Sequence, residues 1–317
     1  MPPHSKVTVL YIVSSPHSGS TLLGAALASH PNVTFAGELF EIPYPAWDPG
    51  RPCSCGEPAG ACPYWNAIRA DFERTASVSD LLDGENRYDP WRAILRVGLA
   101  RRTPSRAFRA HVVRLRSLTR AIASASGKSV VIDSSKQAGR GLAYEAARSD
   151  ELDVRFLHLV RDGRGVVGSR KSREVRVSAT GTFDPNAVLR YSILWVAANL
   201  AFLLLFPIQG GRYLRVRYED FTRDPEGVLT RICRFVELDP APLIAHYRAQ
   251  GEFPIIHVVA GNRLRLAGPV RIRPSKPDWE ERLDARERRT FAFIAGPMAR
   301  MLGYRKSEAS ANPERSN

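Results

Sequence analysis

The chain has few cysteines and no hydrophobic run long enough to span a membrane comfortably. Its four cysteines among 317 residues, three of them crowded together, do not resemble the disulfide framework of a small secreted protein. The first residues, MPPHSK, lack a charged leader followed by an apolar segment and a cleavage site. The most apolar run, Tyr191–Phe206, is shorter than the span of about 20 residues that a bilayer needs. We therefore expect a cytoplasmic protein in which this run forms a buried or membrane-leaning helix, and membrane contact is not predicted.

The chain is also poor in acidic residues and in lysine. Its 46 basic residues outnumber 32 acidic ones, and only six of the 46 are Lys, which leaves 40 Arg. The formal net charge of +14 suits a polyanionic ligand such as a nucleotide, although the arginines are spread along the whole chain. No RNA- or DNA-binding motif accompanies them, so no nucleic-acid partner is predicted.

One stretch near the start, VTVLYIVSSPHSGSTLLG, combines a strand, a turn and a helix. Val7–Val13 is an apolar, β-branched run of strand length, and a helix is predicted from Ser20 to about Ser29. A turn that opens a helix gathers backbone N–H groups at the positive end of the helix dipole, which favours phosphate. The alternative is an ordinary strand-to-helix turn. Because the turn lacks the first glycine and the lysine of the nucleotide P-loop, ATP or GTP chemistry with Mg²⁺ is disfavoured.

Alternating strands and helices predict the fold class. Their order predicts an open, mainly parallel β-sheet flanked by helices on both faces, within a single domain over residues 1–306. That domain carries a Pro/Gly/Cys-rich and helical insert at about residues 43–126, of which Trp65–Ser126 is mainly helical. Residues 307–317 are polar and predicted to be disordered. The later predicted strands are Val33–Ala36, Ser129–Asp133, Val154–Val160 and Tyr213–Tyr218.

Polar residues follow several of these strands at their carboxyl ends, where open parallel sheets bind ligands. Glu38, Lys136 and Arg161 each come shortly after a predicted strand. Ser169 follows Arg161 by two helical turns, so the two could converge on one phosphate. The alternatives are a solvated loop acid for Glu38 and a structural salt bridge for Arg161.

Three cysteines, Cys53, Cys55 and Cys62, stand in a CxC…C arrangement rather than the CxxC pairs of usual metal sites. No histidine follows nearby, so a structural Zn²⁺ needs a fourth ligand from elsewhere. A disulfide and simple packing of the thiols are the alternatives.

Two polar segments are predicted to lie near the ligand edge. Lys171–Asn186 is a candidate lid. His246–Ile272 is predicted to be irregular, and its basic, glycine-containing part can fold over an anionic ligand or form a surface connection.

Together these motifs resemble the sulfotransferase family that uses 3′-phosphoadenosine 5′-phosphosulfate (PAPS), and in particular its bacterial members. SSPHSGSTLL is similar to the 5′-phosphosulfate loop, and FLHLVRDGRGVVGSR resembles the 3′-phosphate motif. YLRVRYEDFTRDPEGVLTRICRFVEL, GNRLR and DWEERL…AGPMARMLGY look like the later segments of the family. The resemblance covers roughly Val7–Tyr304 and implies the P-loop-like, three-layer sulfotransferase fold.

The resemblance also implies roles for individual residues. Glu38 falls where Golgi-type tyrosylprotein sulfotransferases carry their catalytic base, and Lys136 falls where those enzymes have a lysine near the leaving phosphate. His17 stands where most relatives have Arg or Lys, so either a protonated His17 or Lys136 must supply that charge. The cofactor-binding residues implied are His17, Ser18, Gly19, Ser20, Thr21 and Leu22 for the 5′-phosphosulfate, Arg161 and Ser169 for the 3′-phosphate, and Arg263 and Arg265 in the C-terminal loop.

The implied reaction is in-line sulfuryl transfer from PAPS to a hydroxyl of a small-molecule acceptor, with Glu38 as general base. The products are a sulfate ester and adenosine 3′,5′-bisphosphate, and no Mg²⁺ requirement is expected. Carbohydrate, phenol, lipid and peptide hydroxyls all remain open as acceptors. Two other functions remain as alternatives: a small-molecule or nucleotide kinase, and a non-enzymatic adaptor that binds anionic ligands. The sequence indicates no oligomeric state.

Overall fold

The computed structural model describes residues 6–41, 50–177, 184, 186–206, 211–275 and 278–304. Within these residues a single five-stranded sheet runs through the molecule, in the order β2-β3-β1-β4-β5. Every neighbouring pair of strands is parallel, which confirms the predicted open parallel sheet. The strands are β1 (Val7–Val13), β2 (Val33–Phe35), β3 (Val130–Asp133), β4 (Leu152–Val160) and β5 (Tyr213–Arg217).

The apolar sequence of β1 explains why it occupies the centre of the sheet. Val9 pairs with Val131 of β3 on one side and with Val154 of β4 on the other. Alternate side chains enter two separate hydrophobic clusters: Val9 and Tyr11 pack on one face, and Leu10 packs on the other. A strand covered on both faces needs such an unbroken apolar run, because neither set of side chains meets water.

Helices cover both faces of the sheet. They are α1 (Ser20–Ala28), α2 (Pro63–Phe72), α3 (Val78–Tyr88), α4 (Ile94–Arg102), α5 (Arg106–Ser126), α6 (Ala138–Ala146), α7 (Gly163–Val177), α8 (Ala187–Leu205), α9 (Tyr218–Arg223), α10 (Pro225–Phe235), α11 (Ala241–Gln250), α12 (Trp279–Arg282) and α13 (Ala285–Met301). Helices α2, α5 and α6 pack on one face, α1 and α10 on the other, and α7, α8 and α13 form a third cluster. Helices α2–α5 confirm that Trp65–Ser126 is mainly helical.

Three predicted boundaries were wrong. Helix α7 continues to Val177, so the first part of the candidate lid Lys171–Asn186 is helical, while residues 178–183 and 185 lie outside the described residues. Helix α11 extends to Gln250, so the segment predicted to be irregular begins later than His246. The sequence also predicts one final amphipathic helix from Asp278 to about Met301, but the structure divides it into α12 and α13, because Asp284 forms a capping box that starts a new helix. The tail at 307–317 lies outside the described residues.

Helix α8 is longer than the predicted apolar run. Its 19 residues have a mean hydropathy of 1.8, and 28% of its most apolar window is buried. Among the described residues it alone is long and apolar enough to cross a membrane, a test that core helices of soluble proteins also pass. Its buried face carries polar groups: the Asn199 side chain contacts the His158 imidazole at 3.0 Å. Burial lowers the pKa of His158 to about 4, so this imidazole is neutral near pH 7.

Candidate functional site

The candidate site lies at one edge of the sheet. Because all five strands are parallel, their carboxyl ends meet at the same edge, spaced about 4.8 Å apart. Glu38 follows β2 and Lys136 follows β3, whereas the glycine-containing turn 14–19 follows the central strand β1 and Arg161 follows β4. The chain reverses its direction across the sheet at β1, which is where open α/β sheets bind ligands.

The turn between β1 and α1 has the backbone geometry of an anion site. Both His17 (φ 68°) and Gly19 (φ 90°) adopt left-handed conformations, which turn the chain sharply into α1 at Ser20. The Tyr218 ring packs against Gly19 so closely that a Cβ there would lie 2.3 Å from a ring carbon. Only glycine fits this position, and the first N–H groups of α1 are directed at the turn.

Ser18 shows that the turn suits a phosphate. Its side chain is 1% exposed, and its Oγ has no hydrogen-bond partner among the described residues. A buried hydroxyl without a partner costs free energy, so its presence beside a helix N-terminus fits a site built for anionic oxygens. Ser20 is buried, while Thr21 and Leu22 are partly buried at the start of α1.

Glu38 and Lys136 form an ion pair across the ends of β2 and β3. Lys136 Nζ donates to Glu38 Oε1 at 2.5 Å, and the two side chains are 12% and 22% exposed. The two loops are joined by further hydrogen bonds: Ser134 N donates to the Gly37 carbonyl (2.8 Å), and Phe40 N donates to Ser135 Oγ (2.8 Å). The structure therefore places a carboxylate and an ammonium in contact, next to the strand that carries the phosphate turn.

A buried charge network lies beside the loop that connects β3 to α6 and carries Lys136. The Arg140 guanidinium of α6 donates to Asp133 (2.8 Å), Glu85 (2.8 Å) and Asp89 (2.6 Å), and these side chains are at most 2% exposed. Asp89 also contacts the buried His111 imidazole at 2.7 Å. Burial raises the pKa of Glu85 well above its ordinary value.

Sequence analysis missed this network. Its signal was weak but present: Arg140 stands in the α6 sequence AGRGLAYEA, which is otherwise small and mostly apolar. Its acidic partners Glu85 and Asp89 lie on or beside α3, about fifty residues earlier in the chain. No local pattern connects them with Arg140.

Arg161 joins the β4 end of the site to the phosphate turn. Its Nη1 donates to the His17 carbonyl oxygen (2.9 Å), and its guanidinium lies 4.8 Å from the centre of the Tyr218 ring. Ser169 lies partly exposed on α7, six residues after the start of that helix. The structure thus brings Arg161 to the turn through the His17 backbone, while Ser169 stands further along α7.

A cavity of about 170 Å³ lies beside Arg161, between the ends of β4 and β5. Arg164, Glu219 and Trp279 contribute to its lining. Arg164 donates to both carboxylate oxygens of Asp162 and lies 4.2 Å from the centre of the Trp279 ring. Burial raises the pKa of Glu219, which accepts the Asp162 N–H at 3.0 Å.

The C-terminal loop contacts the candidate site beside Glu38, through Gly261, a residue that was not predicted. A Cβ at Gly261 (φ 103°) would lie 3.1 Å from Glu38 Oε1, so this glycine packs directly against the ion pair. Arg265 is 6% exposed and its Nη2 donates to the Pro52 carbonyl (3.4 Å), whereas Arg263 is exposed. The roles assigned to Arg263 and Arg265 stay predictions.

The structure also supplies the histidine that sequence analysis did not find near the cysteines. His257 lies beside Cys53, Cys55 and Cys62, although it follows them by about 200 residues. All three thiols are free, so the disulfide considered from the sequence does not form in this structure.

Comparison with known proteins adds an independent result. Residues 153–242, which include Arg161 and Ser169, match a family model described as "Sulfotransferase family". Carbohydrate sulfotransferase 5 of Mus musculus is 24% identical over 330 residues, covering 93% of this chain and 80% of the mouse protein. These matches confirm the resemblance predicted from the sequence.

Solved structures of sulfotransferases are also similar. The sulfotransferase domain from the Synechococcus PCC 7002 olefin synthase has a TM-score of 0.48 and 23% identity, and the alignment covers 94% of this chain and 97% of that domain. Mouse sulfotransferase SULT7A1, solved in complex with PAP, has a TM-score of 0.48 and 12% identity, with 94% of this chain and 84% of that chain covered.

Proposed function

We infer that the chain is an enzyme of the sulfotransferase family, and we propose that it transfers the sulfuryl group of PAPS to a hydroxyl of an acceptor. The observation that carries the proposal is the ion pair between Glu38 and Lys136, on strands next to the phosphate turn. Sulfuryl transfer needs a base for the acceptor proton and positive charge at the leaving phosphate. A carboxylate and an ammonium in contact can supply both.

We place the 5′-phosphosulfate at the turn Ser18–Leu22 and the 3′-phosphate near Arg161 and Ser169. The helix N-terminus and the unpartnered Ser18 hydroxyl offer donors to the first group. Glu38 and Arg161 follow strands that stand three spacings apart, on the order of 14 Å, so a ligand reaching both must be extended. A nucleotide with anionic groups at two positions of its ribose has that form.

In the proposed reaction the acceptor oxygen attacks sulfur opposite the bridging phosphate oxygen. Glu38 takes the acceptor proton on a carboxylate oxygen, and the sulfur–oxygen bond to the phosphate breaks with its electron pair left on the phosphate oxygen. Lys136, the N–H groups of the turn and the His17 side chain stabilise the charge that grows there. The products are a sulfate ester and adenosine 3′,5′-bisphosphate.

We propose that the reaction needs no Mg²⁺. The turn lacks the lysine of the nucleotide P-loop, and the positive charge beside it comes from Lys136 of a neighbouring strand. For the acceptor we propose a small-molecule hydroxyl. The name of the mouse relative makes a carbohydrate the first acceptor to test.

Thermal unfolding with adenosine 3′,5′-bisphosphate, beside AMP and ATP–Mg²⁺, tests the cofactor. A ligand at 100 times its Kd stabilises the fold by about 2.7 kcal/mol, which gives a measurable rise in Tm. Removing the charged donor in Arg161→Ala should weaken bisphosphate binding by roughly 10- to 150-fold, since such hydrogen bonds contribute about 1.5–3 kcal/mol. Arg69→Ala is the matched control, because Arg69 forms a surface ion pair with Glu73 on α2.

A rise in Tm with the bisphosphate, lost in Arg161→Ala and kept in Arg69→Ala, supports the proposal. A response to ATP–Mg²⁺ alone indicates a kinase instead. No response to any of the three nucleotides favours an adaptor that binds other anions.

A further inference from the structure

Four potential metal ligands, none of them a member of the ion pair of the candidate site, converge at one point. The thiol sulfurs of Cys53, Cys55 and Cys62 and a ring nitrogen of His257 all lie within 4.8 Å of one another. Cys62 Sγ lies 3.9 Å from Cys53 Sγ, 3.8 Å from Cys55 Sγ and 3.3 Å from His257 Nδ1. Two segments far apart in the sequence therefore meet with all their donor atoms facing one another.

These separations are those of a tetrahedral zinc site. Zn–S bonds of about 2.3 Å and Zn–N bonds of about 2.0–2.1 Å place sulfurs about 3.8 Å apart and a sulfur about 3.5 Å from nitrogen. A disulfide, by contrast, requires a sulfur–sulfur distance of about 2.05 Å. Three thiols and one imidazole form a closed set of four ligands, typical of structural zinc.

The backbone around Cys53 and Cys55 is shaped to hold the sulfurs in this position. Gly56 (φ 98°) turns the chain, and its N–H donates to the Cys53 carbonyl at 3.1 Å. Cys62 immediately precedes α2, so the backbone position of its sulfur is fixed by the start of that helix.

The backbone and ring of His257 are also fixed by their neighbours. Its φ of 60° is left-handed, a conformation that costs energy in a residue with a side chain. Tyr64 stacks on the imidazole with ring centres 4.7 Å apart, and Trp65 Nε1 donates to the His257 carbonyl at 2.8 Å. Ser54 N donates to the Val258 carbonyl (3.1 Å), and Val258 N donates to Ser54 Oγ (2.9 Å). These two hydrogen bonds join the two segments.

Simple packing of thiols does not explain this arrangement. Cys233, the fourth cysteine, shows what packing looks like, because it is 1% exposed within an apolar cluster. Cys53 and Cys62 also border an apolar cluster, but Cys62 additionally contacts two other sulfur atoms and the polar His257 ring.

We propose that Cys53, Cys55, Cys62 and His257 bind a structural Zn²⁺ ion that fastens the C-terminal loop to the cysteine-rich segment. The loop that continues from His257 carries Gly261, which packs against Glu38. The ion thus holds one wall of the candidate site in place. Zinc binding itself does not depend on sulfuryl transfer being the right function, so the two proposals can fail separately.

Metal analysis of the protein, purified without chelators from a zinc-containing culture, tests the proposal. We expect about one zinc per chain, retained through dialysis. Cys62→Ser and His257→Ala should each lose most of it, while Cys233→Ser keeps it. Should Cys62→Ser fail to fold, Cys55→Ser serves instead, since Cys55 is exposed and its loss disturbs no core packing.

A second measurement identifies the ligands. After zinc is removed, Co²⁺ titrated into the wild-type protein should give intense visible bands of a tetrahedral site and thiolate charge-transfer bands, with an end point at about one equivalent. Metal-free protein with three reduced thiols, a disulfide in peptide mapping, or zinc that persists in both Cys62→Ser and His257→Ala would overturn the proposal.

Discussion

Replacing Arg140 by Met tests whether the buried network beneath Lys136 supports the fold. The Arg140 guanidinium is fully buried and contacts Asp133, Asp89 and Glu85. Met replaces the unbranched stem of Arg with an apolar side chain that is shorter and carries no charge. The variant therefore leaves Asp133 and Asp89 buried without their cation.

The expected loss of stability follows from removing the cation of a buried ion pair. Removing one partner of a buried ion pair costs about 3–5 kcal/mol, because the remaining charge is left uncompensated. Asp133 still accepts the Ser135 N–H (2.8 Å) and Asp89 still contacts His111, which limits the cost to this range. With a urea m-value near 3 kcal/mol/M, the unfolding midpoint should fall by roughly 1–2 M.

Glu85→Gln is the matched control. Burial raises the folded-state pKa of Glu85, so its stabilising contribution is complete below the unfolded pKa and is lost as pH rises towards the folded pKa. A glutamine cannot ionise and still accepts the Arg140 hydrogen bond, so it should cost about 1 kcal/mol or less at low pH. Relative to the wild type, the variant should become more stable as pH rises above about 4.5.

Urea unfolding, followed by circular dichroism from pH 4.5 to 8, measures both variants. A loss below about 1 kcal/mol in Arg140→Met would refute the reasoning, because removing one partner of a buried ion pair leaves the other without compensation. A Glu85→Gln difference that does not change with pH would refute the raised pKa of Glu85.

Two further variants address the candidate site directly. Glu38→Gln should keep bisphosphate affinity but lower kcat by roughly 10²–10⁴-fold. Near-normal turnover would show that Glu38 is not the base. The surface variant Glu73→Gln is the control. Gly19→Ala should abolish the bisphosphate response in Tm, because left-handed backbone costs a residue with Cβ about 1–2 kcal/mol and the Tyr218 ring blocks the added carbon. Gly98→Ala, at a helical position with open space around it, should be neutral or stabilising, and equal effects at both glycines would contradict this account.

Sequence analysis predicted the elements of the sheet well. β1 was predicted over its observed range, Val7–Val13, and the other described strands differ from prediction by one or two residues at either end. Local chemistry explains this success, since apolar β-branched runs and glycine-containing turns act over a few residues. Helix ends were harder to predict: α7 extends into the predicted lid, and no proline or glycine stands between Arg170 and Val177 to stop it.

Glu38, Lys136 and Arg161 were predicted because each shortly follows a strand, whereas Arg263 and Arg265 were implied by the family resemblance. What could not be predicted is which of them touch. The contact between Glu38 and Lys136 depends on β2 and β3 being neighbours, although about a hundred residues separate the two side chains. The contact of Gly261 with Glu38 similarly joins opposite parts of the chain.

By itself, the sequence determined the strands, the glycine-containing turn after β1 and the residue types at the carboxyl edge of the sheet, because these depend on short-range patterns of apolar and small residues. Only the tertiary structure decided the partners of Arg140 and the fourth ligand of the cysteine cluster. Arg140 and its partners are buried, and burial selects partners by three-dimensional proximity, since an uncompensated charge or donor costs several kcal/mol. His257 lies about 200 residues from the cysteines it faces, and folding of the sheet brings them together.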